Sequence, residues 1–251
     1  MLKTKPQTTN VLDFFDSENR NVHVIHCTTT SFDEHPTRIT SICARFGGSG
    51  EKRAFVPEHP PLSNNEIDAW EREILSRFQD FMEKNPRIRW VHWSMTDDKF
   101  GWPLIRRRSL EHSIRDHTED LIELNLNHYL EQEYGRGYEK HPHFYNLIRR
   151  NEFTHPDLLE GKQEAQFAAD LNKASIAKLL SSCKAKTDAI YEILRAAESG
   201  KLKINPRTWS AVARTLSRFK GGLYYVAGLI TSAIAGWLIP LAIQWLATSH
   251  H

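Results

Sequence analysis

The chain has 251 residues and a nearly balanced charge, with 33 Lys and Arg against 31 Asp and Glu. A net charge of +2 excludes a bulk attraction to nucleic acid and still allows a local basic patch. Three widely spaced cysteines, Cys27, Cys43 and Cys183, form neither a zinc motif nor a disulfide scaffold and fit a reducing compartment. The polar segment 1–10 has no apolar core of a secretory signal, so we expect a cytoplasmic body.

The first half of the body, residues 22–115 after an N-terminal segment 1–21, predicts an α/β domain. Three apolar or β-branched runs separated by turn residues predict three consecutive strands, at residues 22–27, 38–46 and 52–56. Apolar residues at helical spacing over 67–81 predict a helix, and residues 87–95 predict a fourth strand. This order favours a mixed sheet covered by helices.

The second half of the body, residues 116–204, predicts a helical region. Leucines from Leu121 to Leu130 begin one helix, which stops at Gly135. A second helix is expected around Phe144, and a long third helix is expected over residues 176–197.

A single transmembrane helix is predicted at residues 223–246, which carry no charge over 24 positions. At about 1.5 Å per residue this stretch exceeds the roughly 30 Å of a bilayer core. Arg214, Arg218 and Lys220 precede it and only the short tail 247–251 follows it. Because positive flanks stay in the cytoplasm, we expect a single-pass, tail-anchored protein of the inner (cytoplasmic) membrane, with its C-terminus outside.

The segment before the span, residues 205–222, predicts an amphipathic juxtamembrane helix. Trp209 and Phe219 share one face, and Arg214 and Arg218 lie off it, as in helices that lie in the lipid interface. The alternative is a last helix packed on the body.

Small residues recur every four positions within the span, at Gly228, Ser232 and Gly236. Such a stripe allows two helices to approach closely, because packing is the main attraction between helices in lipid. It predicts a homo-oligomer, although small residues are also common in membrane helices by chance.

The first strand resembles that of ribonuclease H-like domains, in which three strands, a helix and a fourth strand follow one another. DEDD exonucleases of that group carry two carboxylates at the end of strand one. Residues 24–31, Val-Ile-His-Cys-Thr-Thr-Thr-Ser, fit that register, but His26 and Thr28 stand at the carboxylate positions. Those carboxylates hold the catalytic metal ions, so the resemblance implies a degenerate nuclease site.

The same resemblance gives candidates for the remaining acidic positions. Asp97 or Asp98 follows the fourth strand, and Asp188 is a distant candidate for the last position. A rival Asp-x-Glu pair, Asp16 and Glu18, is not followed by strands in register and fits a solvated turn.

The chain more closely resembles a family of uncharacterised bacterial proteins, to which the membrane helix looks like an addition. The resemblance rests on residues 26–42, 91–95 with 100–101, 137–142, 157–161 and 184–190. It implies a fold boundary and no activity.

Other motifs point to no cofactor and no metal. The thirteen histidines include no pair with zinc spacing on one helix face. Arginine runs at 106–108 and 149–150 are typical of solvated helix faces, and phosphate contact is the alternative.

Three functions remain open from the sequence. The favoured one is a membrane-anchored sensor or scaffold with a non-catalytic nuclease-like domain, in prokaryotic stress or anti-phage defence. Its partners would be lipid, further copies of the chain and a protein, with nucleic acid as a less favoured partner. The second is a tethered metal-dependent nuclease that uses an altered acidic set such as Asp33, Asp97 or Asp98. The third is an oligomerising effector that perturbs membranes.

Overall fold

The computed structural model describes residues 21–30, 35–59, 61, 66–169 and 172–205. This part of the chain forms a mixed α/β fold. Its strands are β1 (Val22–Thr29), β2 (Ile39–Phe46), β3 (Lys52–Ala54), β4 (Arg89–His92), β5 (Thr96–Asp97), β6 (Phe100–Gly101) and β7 (Ile122–Asn125). Its helices are α1 (Ile67–Lys84), α2 (Trp102–Glu111), α3 (Leu126–Tyr134), α4 (His143–Arg150), α5 (Gly161–Ala169) and α6 (Lys173–Glu198).

Five strands form one mixed sheet in the order β3-β2-β1-β4-β7. Strand β2 pairs antiparallel with β1 and β3, whereas β4 runs parallel to both β1 and β7. The three parallel strands therefore end at the same edge of the sheet. Strands β5 and β6 form a separate hairpin after β4.

Helices cover both faces of this sheet. Because strand side chains alternate between faces, Ile25 and Cys27 pack in the core with α1 and α2, whereas Val22 and Val24 pack in the core with α6. Helix α6 lies against β1 and β2. The Cys183 thiol of α6 donates a hydrogen bond to the backbone oxygen of His26, at 3.3 Å.

The predicted mixed sheet is confirmed, as are its first strands and the helix α1 that ends at Lys84. The prediction of a purely helical region over residues 116–204 is wrong at β7. Residues 122–125 form the fifth strand of the sheet, and the helix expected to begin at Leu121 begins at Leu126. Pairing with β4 makes this segment a strand, because the hydrophobic pattern of four residues is too short to predict a strand by itself.

The predicted membrane segments lie outside the described residues. These are the amphipathic helix beyond Asn205, the interface residues Trp209, Arg214, Arg218 and Lys220, the span 223–246, and the stripe Gly228, Ser232 and Gly236. Within the described part of the chain, none of the helices has the length and apolar character that crossing a membrane requires.

Candidate functional site

A cleft lies at the edge where the parallel strands end. In open α/β sheets, ligands bind in the crevice beyond the carboxyl ends of parallel strands. Here β1 ends near Thr28 and β4 ends at His92. Alternation along β1 turns His26 and Thr28 to the same face of the sheet, the face that carries α6.

Two cavities form this cleft. The α5 cavity, of about 260 Å³, lies under α5 and is also lined by Thr28. The α4 cavity, of about 330 Å³, lies beside the start of α4. Four residues line both cavities: His26, Phe100, Tyr145 and Lys186. These four residues are therefore the centre of the candidate site.

His26 is buried in the cleft as an uncharged imidazole. Its side chain is 7% exposed, and its Nδ1 atom has no hydrogen-bond partner among the described residues. Burial holds the pKa of His26 well below its ordinary value, and the nearby charges of Lys186 and His92 lower it further. His26 therefore brings a neutral ring with a buried, unpartnered nitrogen to the wall of the cleft.

Thr28 is fixed by neighbouring hydroxyls. Its Oγ1 lies 2.8 Å from Thr40 Oγ1 and 2.6 Å from Ser41 Oγ, both on β2. The hydroxyl is thus used within the sheet, and it lacks the negative charge by which a carboxylate holds a divalent cation.

Lys186 carries a buried ammonium group into the cleft from the middle of α6. Its Nζ donates a hydrogen bond to Oε2 of Glu164 on α5, and Glu164 Oε1 accepts another from Ser182 Oγ at 2.7 Å. Burial alone would lower the pKa of Lys186, but the attraction of Glu164 outweighs it and the pKa lies above its ordinary value. The amine is therefore charged, and α5 is pinned to α6 across the cleft.

The α4 cavity contains a second neutral histidine. Asn127 Oδ1 accepts hydrogen bonds from the Tyr138 hydroxyl at 2.6 Å and from His143 Nδ1 at 3.2 Å. Because an amide oxygen only accepts, His143 carries its proton on Nδ1. Burial and the neighbouring His141 lower the pKa of His143, so its Nε2 is an acceptor near pH 7.

Aromatic rings form the remaining walls of the cleft. The Trp93 and Phe144 ring centroids are 5.1 Å apart, and those of Phe144 and Tyr145 are 5.3 Å apart. Phe100 lies 5.5 Å from the His26 ring, centroid to centroid. The hairpin of β5 and β6 places Phe100 there, since Phe100 is the first residue of β6.

The acidic candidates lie away from the cleft. Asp97 and Asp98 are exposed at the hairpin, where Asp97 Oδ1 accepts the Lys99 backbone N–H at 2.8 Å. Asp188 pairs with Arg45 on β2 and Lys52 on β3, at 2.6 Å each. None of these three aspartates lines either cavity. The structure thus brings His26 and Thr28 together and separates them from Asp97, Asp98 and Asp188, whereas Asp33 lies outside the described residues.

Sequence reasoning missed Lys186 and Glu164, and a signal for Lys186 was present. Lys186 falls on the buried stripe of α6 with Leu179, Cys183 and Ile190, at spacings of four, three and four residues. A lysine on an otherwise apolar stripe predicts a buried charge with a partner. Glu164 carried no such signal, since its exposed helix has little periodicity.

The arginine runs are engaged within the protein. Each side chain has an acidic partner in the described structure: Arg106 with Asp116, Arg107 with Glu111, Arg108 with Glu71, Arg149 with Glu160 and Arg150 with Glu139. Likewise, the described residues contain no group of three or more His, Cys, Asp and Glu side chains placed to hold a metal ion.

Comparison of the sequence with profiles of known protein families gives no match, and comparison with curated proteins gives none either.

Proposed function

We propose that this protein is a membrane-anchored sensor whose ribonuclease H-like domain binds a ligand in the cleft without cleaving nucleic acid. The order of elements along the chain supports the ribonuclease H-like domain in this proposal. Strands β1, β2 and β3, helix α1 and strand β4 follow one another as the resemblance implies. The cleft lies at the strand ends where such a domain would place its metal ions.

The composition of the cleft carries the proposal. At the two positions where a DEDD exonuclease has metal-binding carboxylates, this chain has a neutral imidazole, His26, and a hydroxyl used within the sheet, Thr28. The ammonium of Lys186 lies beside them. A divalent cation is held by anionic oxygens and is repelled by an ammonium. The carboxylate of Glu164 also lines the cleft, but it is already bound to Lys186, so the cleft favours another kind of ligand.

The cleft keeps the features of a binding site. Cavities of about 260 and 330 Å³ share a wall of buried and half-buried side chains, and their volumes lie near the lower end of the range for small-molecule sites. A polar side chain with an unused nitrogen, His26, is buried between them. Such groups in a concave site are typical of ligand binding.

The membrane part of the proposal rests on the sequence of residues 206–251. The span at 223–246 would hold the body at the cytoplasmic face, and the stripe of Gly228, Ser232 and Gly236 would bring copies together. A ligand-binding body on a self-associating anchor suits a sensor in prokaryotic stress or anti-phage defence.

A cleavage assay tests the catalytic part of the proposal. The full chain in lipid nanodiscs would be incubated with single- and double-stranded DNA and RNA, with Mg²⁺ or Mn²⁺. We expect no metal-dependent cleavage. Cleavage by the wild type that disappears in Asp97→Ala or Asp98→Ala would establish a tethered nuclease instead.

A topology reporter tests the anchor. A reporter fused after His251 is expected to be active outside the cytoplasm, because the basic residues before the span hold that end inside. Activity of the same fusion in the cytoplasm would reverse the proposed orientation.

A further inference from the structure

The α4 cavity has the walls of a site for a flat ring. Trp93 is half-buried at its edge, and Phe144 packs against both Trp93 and Tyr145 with centroid distances of 5.1 and 5.3 Å. Aromatic side chains grouped in this way leave ring faces and edges against which a planar ligand can stack. Tyr145 and Phe100 extend the wall towards His26.

The same cavity offers one defined acceptor and one defined donor. The Asn127 oxygen is used by Tyr138 and His143, so a ligand would meet the Asn127 amide nitrogen, which donates. The bond from His143 Nδ1 fixes its tautomer and leaves Nε2 as an acceptor. A ring edge that carries both an acceptor and a donor complements this pair.

The charge of the cleft is balanced internally. In the described part of the chain, Lys186 and Glu164 are the Lys, Arg, Asp or Glu side chains that line the two cavities, and they are bound to each other. The imidazoles of His26 and His143 are neutral near pH 7. A charged ligand group would therefore be buried without a counter-ion, which is costly.

We propose that the α4 cavity binds a neutral planar heteroaromatic compound of the nucleobase or nucleoside class, with its ring stacked against the wall formed by Trp93 and Phe144. The polar edge of the ring meets His143 and Asn127, and the sugar of a nucleoside extends towards the shared wall at Lys186. This inference rests on the proposed function, because it names the ligand of the same cleft. A volume of about 330 Å³ accommodates a base.

Calorimetric titration of the full chain in nanodiscs tests the inference, with uridine, cytidine, adenosine and guanosine as probes, each beside its 5′-monophosphate. We expect saturable binding of at least one nucleoside and about 10-fold weaker binding of its monophosphate, because among the described residues of the cleft the phosphate finds no free cation. Tighter binding of the monophosphate would overturn the neutral-ligand inference, as would no binding of any of the four nucleosides.

Matched variants locate the site. Trp93→Leu should weaken binding about 10-fold through loss of stacking, whereas Trp93→Phe should stay within about threefold. Asn127→Asp keeps the oxygen that Tyr138 and His143 need and removes the donor, so it should also weaken binding about 10-fold. If Trp93→Leu and Asn127→Asp both unfold at the wild-type temperature and both keep the wild-type affinity, the ligand binds elsewhere and the inference is overturned.

The two proposals fail in different ways. Metal-dependent cleavage of nucleic acid would contradict the proposed function, whatever the nucleosides do. Absence of nucleoside binding in a protein that also fails to cleave would remove only the inference about the ligand.

Discussion

Arg108 and Lys186 are both buried cations, but their surroundings differ. Arg108 reaches from α2 to the fully buried carboxylate of Glu71 on α1, with Nε lying 2.9 and 3.0 Å from its two oxygens. Glu71 Oε1 also accepts the Ile39 backbone N–H at 2.7 Å, and His112 Nε2 lies 2.9 Å from Oε2. Every oxygen of this carboxylate is used, and the network ties α1 and α2 to β2.

Lys186 is bound to one carboxylate, that of Glu164, and lies beside a cavity and the unused nitrogen of His26. A fully satisfied buried network rigidifies a core, whereas a partly satisfied one beside a cavity has binding capacity left. We therefore expect the Glu71–Arg108 network to stabilise the fold and the Lys186–Glu164 pair to belong to the ligand site.

The largest effect is expected from Glu71→Ala. Arg108 would lose its main partner while still buried, which costs about 3–5 kcal/mol in the free energy of unfolding. Urea unfolding of the full chain measures this loss. The control is Glu73→Ala on the same helix, whose exposed pair with Arg77 is worth less than about 1 kcal/mol. Equal losses in the two variants would mean that the network is not structural.

The next effect concerns the hairpin that places Phe100 in the cleft. Gly101 has a φ of 87°, and a Cβ there would lie 2.4 Å from the backbone of Met95. Gly101→Ala should therefore cost about 2–3 kcal/mol. Gly161→Ala is the matched control, since nothing lies within 4 Å of its Cβ, and it should change stability by less than about 0.5 kcal/mol. Tolerance of Gly101→Ala in thermal unfolding would contradict the close approach.

A smaller effect is expected from Lys186→Met. Glu164 would lose its cation, but its side chain is 19% exposed and keeps the Ser182 hydrogen bond, so water can solvate it. We expect a loss of about 1–2 kcal/mol in the free energy of unfolding, clearly below that of Glu71→Ala. A loss as large as that of Glu71→Ala would erase the distinction between the two pairs.

The same variant should change the pKa of His26. Followed by NMR, that pKa should rise towards its ordinary value because a neighbouring positive charge is gone.

The pH dependence gives the smallest effect. In the folded chain, the pKa values of His26 and His143 lie below the ordinary 6.5. At a pH between each folded pKa and 6.5, the unfolded chain therefore binds more protons than the folded chain. The stability that these two neutral histidines allow is fully present above pH 6.5, and the free energy of unfolding decreases as the pH falls below 6.5. The slope is at most about 1.4 kcal/mol per pH unit for each proton.

Urea unfolding of the wild type and His26→Leu at several pH values below 6.5 checks this sign. The variant should show a flatter slope, because the difference in protonation at position 26 is gone. A slope that does not change would mean that His26 is not held neutral by burial.

The sheet could be predicted from the sequence largely because its early strands and α1 carry clear local patterns. Strands β1 and β2 are eight residues each and are bounded by turn residues. Strand β7 was missed because its four residues, Ile-Glu-Leu-Asn, sit directly before α3 and are defined by pairing with β4. Long-range pairing of this kind leaves little trace in a short segment.

The candidate site could be predicted only in part. Strand β1 could be predicted, and the alternation of side chains along it puts His26 and Thr28 on one face of the sheet. The helix α6 was also predicted, but Asp188 was chosen on it, and a shift of two residues along a helix turns a side chain to a different face. Lys186, two positions earlier, is the residue in the cleft. The partners Glu164, Asn127 and His143 come from three further segments, which only the folded chain brings together.

A titration with Mn²⁺ tests most directly the claim that this cleft is not a metal site. The full chain would be added to Mn²⁺ while the electron paramagnetic resonance signal of the free ion is recorded, with the cleft variants His26→Leu and Glu164→Gln as comparisons. Because a neutral imidazole, a bonded hydroxyl and an ammonium line the cleft, we expect the signal of free Mn²⁺ to stay unchanged. Stoichiometric loss of that signal in the wild type, abolished by either cleft variant, would contradict the account.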